Sequence, residues 1–471
     1  MMRRSEFLEL QSQPPPVAPA RAKTVSLLIA VVMLIAGLGV GAGATYFATR
    51  PAPATIGQNT ICSSPFITNY SGCASICSSG KTLTIGMLLD LSSQLSDQGT
   101  RAKSVSVLAI NDINSFLLSG GCNLKFTAAI DDYGLVDQTA LTDLQNFEAS
   151  GVAIVVGPLN SGTAQAILTS ANTNHVVLIS PSSTSPALAI ANDYLFRTVP
   201  NDAAQGLADG RIFVDRGATA AIIIHRDDTY GDGLASATSA RFQALGGATI
   251  DSIPYDHNAA DAGTLDWTTT LNTLNTDFNN NVGTYGAGHI AIYCVCFQEY
   301  GALIIKASSY TGFPWSTIPW FGTDGEATLT KISSGSSGPL ASQVKTVSTL
   351  FSSVNNSKTL NLYSAFTSKY TNLICDSYCL GSYDDLWLGA VSTLQAGGYN
   401  GTAIQANMLT VAANMYGVTG PLTLQPSGDR LPTGYQIWSI VTKSGTPTWV
   451  LAGNWDDATD AVTWTSGSGP P

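Results

Sequence analysis

Beyond residue 81 the chain alternates between two hydrophobic patterns. LTIGMLLD (83–90), LKFTAAID (124–131), VAIVVG (152–157), VVLIS (176–180), AAIIIH (220–225) and HIAIYCV (289–295) are apolar runs of strand length. The segments between them have helical spacing. In TRAKSVSVLAINDINSFL (100–117), Val105, Leu108, Ala109, Ile113 and Phe116 share one face, interrupted only by Asp112. TALTDLQNFEAS (139–150) and GTAQAILTSANTN (162–174) read as further helices. Val/Ile/Leu runs joined by helices predict an α/β fold whose parallel strands are covered on both faces. In such sheets ligands sit beyond the carboxyl ends of the strands.

Those strand ends are polar. In order they are Asp90-Leu91-Ser92-Ser93, Asp131-Asp132-Tyr133, Gly157-Pro158-Leu159-Asn160-Ser161-Gly162 and Ser180-Pro181-Ser182-Ser183-Thr184-Ser185-Pro186. Further along come Asp227-Asp228-Thr229-Tyr230-Gly231-Asp232-Gly233 and Gly322-Thr323-Asp324-Gly325. Hydroxyls cluster at two consecutive ends in the first half, carboxylates and Tyr230 in the second. A hydroxyl beside free N–H groups at a helix start seats a carboxylate, and an Asp facing it across a cleft suits an ammonium. Helix caps and turns use the same residue types, so Ser161 is also a candidate cap and Gly231 and Gly325 candidate turn residues.

A third pattern precedes these. Thr24–Ala48 carries no charge and is long enough to span a bilayer, with Arg21 and Lys23 just before it. The positive-inside rule then keeps residues 1–23 cytoplasmic and puts everything after Arg50 outside. A cleaved signal peptide is the rival reading, since Ala42-Gly43-Ala44 resembles a cleavage site. Either way the α/β part is exported. Residues 49–81 read as a Cys-containing linker, in which Gly80-Lys81-Thr82 imitates a phosphate loop without its first glycine or its helix.

At 471 residues the chain is long enough for two cores. Residues 1–50 carry a net +3, so the whole-chain charge of −11 leaves −14 for the remainder, which argues against a nucleic-acid partner. The eight cysteines suit disulfides in an oxidising compartment, and the linker is expected to be pinned by a bridge from Cys122 to Cys62, Cys73 or Cys77. Metal ligation competes at Cys73-x3-Cys77, but no histidine lies near it. The four histidines match no catalytic motif, and G-x-S-x-G and H-E-x-x-H are absent, so an enzyme is not expected.

Several segments together carry a resemblance. LTIGMLLDLSSQLSDQG, AINDIN, DDYGLVDQTA, VGPLNSG, LISPSSTSPAL, YLFRTVPND, DDTYGDGL, FQALGGATI and FGTDG follow one another as in branched-chain amino-acid binding proteins. These are type 1 periplasmic binding proteins that serve ABC importers, and the chain resembles them over residues 82–455. The resemblance implies two Rossmann-like lobes with parallel sheets joined by a three-strand hinge. Lobe 1 would be 82–201 with 342–429, lobe 2 would be 202–341 with 430–456, and 457–471 would be a flexible tail. It also implies that Ser161, Ser182 and Thr184 hold a ligand carboxylate. From the second lobe would come Tyr230 and Asp324, the acid meeting an ammonium, while Gln98 would line the side-chain pocket.

Two departures stand out. Cys294-Val295-Cys296-Phe297 stands where relatives often have Gly and Tyr, either as small core residues or as a reshaped pocket wall. LICDSYCLGSYDD has no clear counterpart; its Asp384 and Asp385 read as solvated helix-start carboxylates, with the cleft rim as the alternative. The expected function is therefore a membrane-anchored, extracytoplasmic solute-binding protein that presents an amino acid or related small polar ligand to an ABC permease. No cofactor or metal is expected. A sensor built on the same domain, or a neutral amide or urea ligand, is the alternative.

Overall fold

The computed structural model describes residues 60–465, so the expected leader and membrane span lie outside the described residues. Among the described residues, no helix is long and apolar enough to cross a membrane. The apolar runs form strands as their pattern requires. β1 (Thr82–Leu89), β2 (Lys125–Asp132), β3 (Ile154–Val156), β4 (Val177–Ser180) and β5 (Leu195–Arg197) make a parallel sheet in the order β2-β1-β3-β4-β5. The helices expected between them run over Ser96–Ser119, Asp137–Ala149 and Ser161–Asn174. Val105, Ala109 and Ile113 of the first are buried, as their spacing demands.

The second sheet starts with β6 (Ala220–Arg226), β7 (Ala248–Tyr255), β8 (Ile290–Val295), β9 (Trp320–Gly322) and β10 (Val347–Phe351), all parallel in the order β7-β6-β8-β9-β10. Every residue of β6 and β8 is buried, which is why these strands show no alternation. The chain then returns to the first lobe for helices Ser357–Lys369, Ser377–Ala396 and Gly401–Ala413 and a small ladder of β11 (Tyr416–Gly417) and β12 (Gly420–Pro421). It ends by adding β13 (Tyr435–Lys443), β14 (Thr446–Asp456) and β15 (Ala461–Trp464) antiparallel beside β10.

Three segments cross between the lobes, at 198–201, 352–356 and 430–434. They lie side by side: the amide of Arg430 donates to the Arg197 carbonyl (3.0 Å), and that of Ser352 to the Gly434 carbonyl (3.0 Å). A buried Arg197–Asp429 ion pair fastens two of them beside the first sheet.

Four expectations need correction. The lobe boundary expected at 342 falls after Phe351, because β10 pairs with β9 and β13 of the second sheet. That sheet is mixed rather than wholly parallel. The tail expected from 457 contains edge strand β15, whose Trp464 packs under Arg216 with the guanidinium 5.5 Å from the ring. Asp384 and Asp385 are neither solvated nor at the cleft rim: both are fully buried inside helix Ser377–Ala396. Asp384 accepts from the amides of Val418 and Thr419 (2.8 and 2.9 Å), and Asp385 from the Thr198 hydroxyl (2.5 Å).

The segment 60–81 is not a bare linker. It forms a short helix, Tyr70–Cys77, held by disulfides Cys62–Cys73 and Cys77–Cys122. Cys294–Cys296 and Cys375–Cys379 are the other two pairs.

Candidate ligand-binding site

Each sheet reverses its strand order once, between β1 and β3 in the first and between β6 and β8 in the second. Loops leaving such a point diverge to opposite faces and open a crevice at the carboxyl ends. The two crevices face each other here. Between them lies a narrow cavity lined by Leu95, Gln98, Leu159, Asn160, Ser161, Ser182, Tyr230, Phe297, Asp324, Gly325 and Tyr378. The lobes are closed on one another at its mouth. Ser93 Oγ donates to the Asp261 carbonyl (2.7 Å), Gln94 Nε2 to that of Ala260 (2.8 Å), and Ser185 Oγ to that of Thr229 (2.8 Å).

One end of the cavity is built to receive negative charge. Ser161 opens helix Ser161–Asn174, and the N-cap residue Asn160 makes no side-chain cap bond; its Oδ1 accepts from Tyr133 Oη instead (2.7 Å). The helix therefore presents N–H groups and the positive end of its dipole to the cavity. Ser161 Oγ accepts the amides of Thr184 and Ser185, both at 3.0 Å, which leaves its own proton free to donate. Ser182 Oγ donates to the Leu159 carbonyl (2.7 Å) and so fixes the two loops against each other.

The opposite wall is acidic. Asp324 is 3% exposed and accepts from Gln205 Nε2 (2.9 Å), Tyr230 Oη (2.8 Å) and the Tyr378 hydroxyl. Burial raises its carboxyl above the usual range, against the smaller opposing pull of the three donors. No lining residue is basic. A second fully buried carboxyl, Asp202, lies close enough to Asp324 to be raised well above its usual range, first by burial and then by that neighbour. Tyr230 is set by the Asp228 cap of helix Thr229–Ala244 and stacks on Phe297, the ring centroids 5.4 Å apart. The Arg226 guanidinium lies 4.1 Å from the centroid of the Phe297 ring and is itself paired with Asp228, Asp261 and Glu299. Gly325 has to be glycine: a Cβ there would sit 2.2 Å from the Cys296 carbonyl oxygen.

Of the six residues singled out in the sequence, Ser161, Ser182, Tyr230, Asp324 and Gln98 line this cavity. Thr184 does not. It stands behind the wall, 2% exposed, its amide spent on Ser161 and its carbonyl on the amide of Asp202 (2.8 Å). Phe297 forms part of the wall, whereas Cys294 and Cys296 are core residues of the second lobe, so of this segment only Phe297 reshapes the pocket. Sequence reasoning missed Asn160 and Tyr378. Asn160 sits inside a loop it had marked, whereas Tyr378 lies in the segment without a counterpart.

Two α/β lobes, three crossings and a polar cleft at the switch points define the type 1 periplasmic binding class. Residues 101–443 match the family described as the receptor family ligand binding region, and the chain belongs to that family. An uncharacterized protein of Methanocaldococcus jannaschii is 30% identical over 400 residues, covering 81% of this chain and 91% of that one. The Leu/Ile/Val-binding protein homolog 1 of Brucella abortus is 30% identical over 151 residues, 31% of this chain and 40% of its own length. Among solved structures, the isoleucine-bound substrate-binding protein of a Streptococcus pneumoniae branched-chain amino acid transporter superposes with a TM-score of 0.61. It is 21% identical, covers 82% of this chain and is itself 99% covered.

Proposed function

We propose that this protein is the solute-binding component of an ABC importer and that it clamps a zwitterionic amino acid between its lobes. The observation that carries this reading is the polarity of the cleft. An uncapped helix start with the Ser161 hydroxyl lies on one lobe, and the buried Asp324 carboxylate, with no basic residue in the wall, on the other. A carboxylate and an ammonium on one small molecule would satisfy both and draw the lobes together. The names of the relatives support the same class of ligand and an importer setting. Gln98 and Phe297 give the remaining wall a mixed polar and aromatic character, so the side chain taken need not be a branched aliphatic one. The apolar, basic-flanked stretch at 24–48 supports tethering to the membrane with the lobes outside, within reach of a permease.

The test is thermal unfolding of the full chain with the twenty common L-amino acids and, in parallel, their amides. A ligand that binds only the folded form stabilises it by RT ln(1 + [L]/Kd), so a true ligand shifts Tm in proportion to log concentration. Stabilisation by L-amino acids and not by their amides is the expected result. Preference for the amides, or for benzoate-like acids that lack an ammonium, would sink the zwitterion reading.

A further inference from the structure

The segment LICDSYCLGSYDD finds a use in the cleft. Its turn at Cys375–Cys379 belongs to the first lobe but grips the acid-bearing loop of the second at two places. Tyr378 hydrogen-bonds Asp324 itself. Four residues along that loop, Thr328 donates its hydroxyl to Asp376 (2.7 Å). Arg101, ion-paired with Asp376, reaches the same hydroxyl (2.8 Å) and the Thr328 carbonyl (2.7 Å). Arg101, Asp376, Tyr378 and Thr328 are all buried. Thr328 also holds φ at +65°, a conformation that a β-branched residue adopts only when its surroundings impose it. On the first-lobe side the turn is fixed twice: Asp376 caps helix Ser377–Ala396 through the amide of Cys379 (3.0 Å), and a disulfide joins Cys375 to Cys379.

We propose that this bridged turn, with Arg101, positions Asp324 for ligand binding by capturing its loop as the lobes close. The inference rests on the reading of Asp324 as the group that meets a ligand's cation. Arg101, Asp376, Tyr378 and the disulfide are all on one lobe, so the gripping surface persists when the lobes part. Thr328 and Asp324 are on the other, so both grips form only on closure. A buried guanidinium needs its hydrogen bonds completed, and the Thr328 carbonyl and hydroxyl complete them. The desolvation that accompanies closure is thereby offset at the same point where the acid is set in place. Arg101, Asp376 and Thr328 are positioning residues; they line no part of the cavity.

The experiment is hydrogen–deuterium exchange of the full chain, comparing wild type with Arg101→Met, Tyr378→Phe and the Cys375→Ser/Cys379→Ser double variant. Peptides covering 322–329 report the captured loop, and β6 serves as an internal reference. Exchange at 322–329 should rise roughly fivefold or more in each variant, the scale set by losing one or two net hydrogen bonds, with β6 unchanged. Unchanged exchange at 322–329 in both Tyr378→Phe and the double variant overturns the proposal. If Arg101→Met loosens β6 as well, it has a folding defect, and the other two variants decide. Because both grips are closed-state contacts, exchange is compared with the L-amino acid that most stabilises the wild type added and omitted, and the rise is expected in its presence. A wild type that binds no L-amino acid overturns the functional reading, and the ligand-free comparison then decides the capture.

Discussion

Asp324 and Ser161 carry unequal shares of the cleft chemistry. Removing Asp324 deletes a charge-assisted contact and leaves three donors, from Gln205, Tyr230 and Tyr378, facing one another in a buried space. Asp324→Ala should weaken amino-acid binding by about 2–5 kcal/mol in calorimetric titration. Ser161→Ala removes one neutral hydroxyl while the helix N–H groups remain, and should cost roughly 1–2 kcal/mol. Equal losses would mean that the two ends do not read opposite charges. Asp209 offers a test of stability instead of binding. It accepts from Tyr293 Oη (2.6 Å) and Thr349 Oγ1 (2.8 Å), and burial pushes its carboxyl up to about 7 from 3.8. A raised carboxyl favours folding most below its unfolded value, and that contribution fades as pH climbs through the folded one. Stability attributable to Asp209 should therefore fall between pH 4 and pH 7, and Asp209→Asn should flatten that part of the Tm–pH curve. At this scale the sequence was informative where a residue sat at a strand end, as Ser161, Ser182, Tyr230 and Asp324 do. Asp384 was misread because a pair of acids reads as solvated, while the donors that bury it come from Val418 and Thr419, 34 and 35 residues on.

The longer elements were legible for a physical reason. A strand buried on both faces is apolar nearly throughout: β8 is six such residues, and β6 is five before His225 and Arg226 end it. β3, β5 and β9 have three residues each, too few to display any period, although β3 was caught by its neighbours in VAIVVG. The lobe boundary implied by the resemblance fell before β10, VSTLF, and nothing in those five residues tells which sheet they join. Only their pairing with β9 and β13 assigns them. The Cys77–Cys122 bridge ties helix Tyr70–Cys77 to the turn after helix Ser96–Ser119 across 45 residues of chain. Cys122→Ser should cost about 2–5 kcal/mol in denaturant unfolding, through loss of loop-closure constraint. No loss at all would mean that the segment 60–81 is held by its packing alone. That packing includes Thr68 and Asn69 against Gln395 and Ala396.

For the molecule as a whole, the unequal distribution of charge has a practical outcome. Residues 51–471 carry a net −14, and the apolar stretch at 24–48 is preceded by Arg21 and Lys23. Expressed in a cell, the full chain should stay with membranes through a high-salt wash and leave them only with detergent. A mature N-terminus near Thr45 would show a cleaved signal instead. The three crossings have a further consequence, for the order in which the protein is made. The five strands of the first sheet are complete at Arg197, yet two helices that pack on β3 and β4, Ser377–Ala396 and Gly401–Ala413, arrive some 180 residues later. A ribosome adding roughly 5–20 residues each second leaves that apolar face waiting for about 10–40 seconds. The interval of greatest risk for this chain therefore falls during synthesis, when one lobe is formed but still lacks cover made from the end of the message.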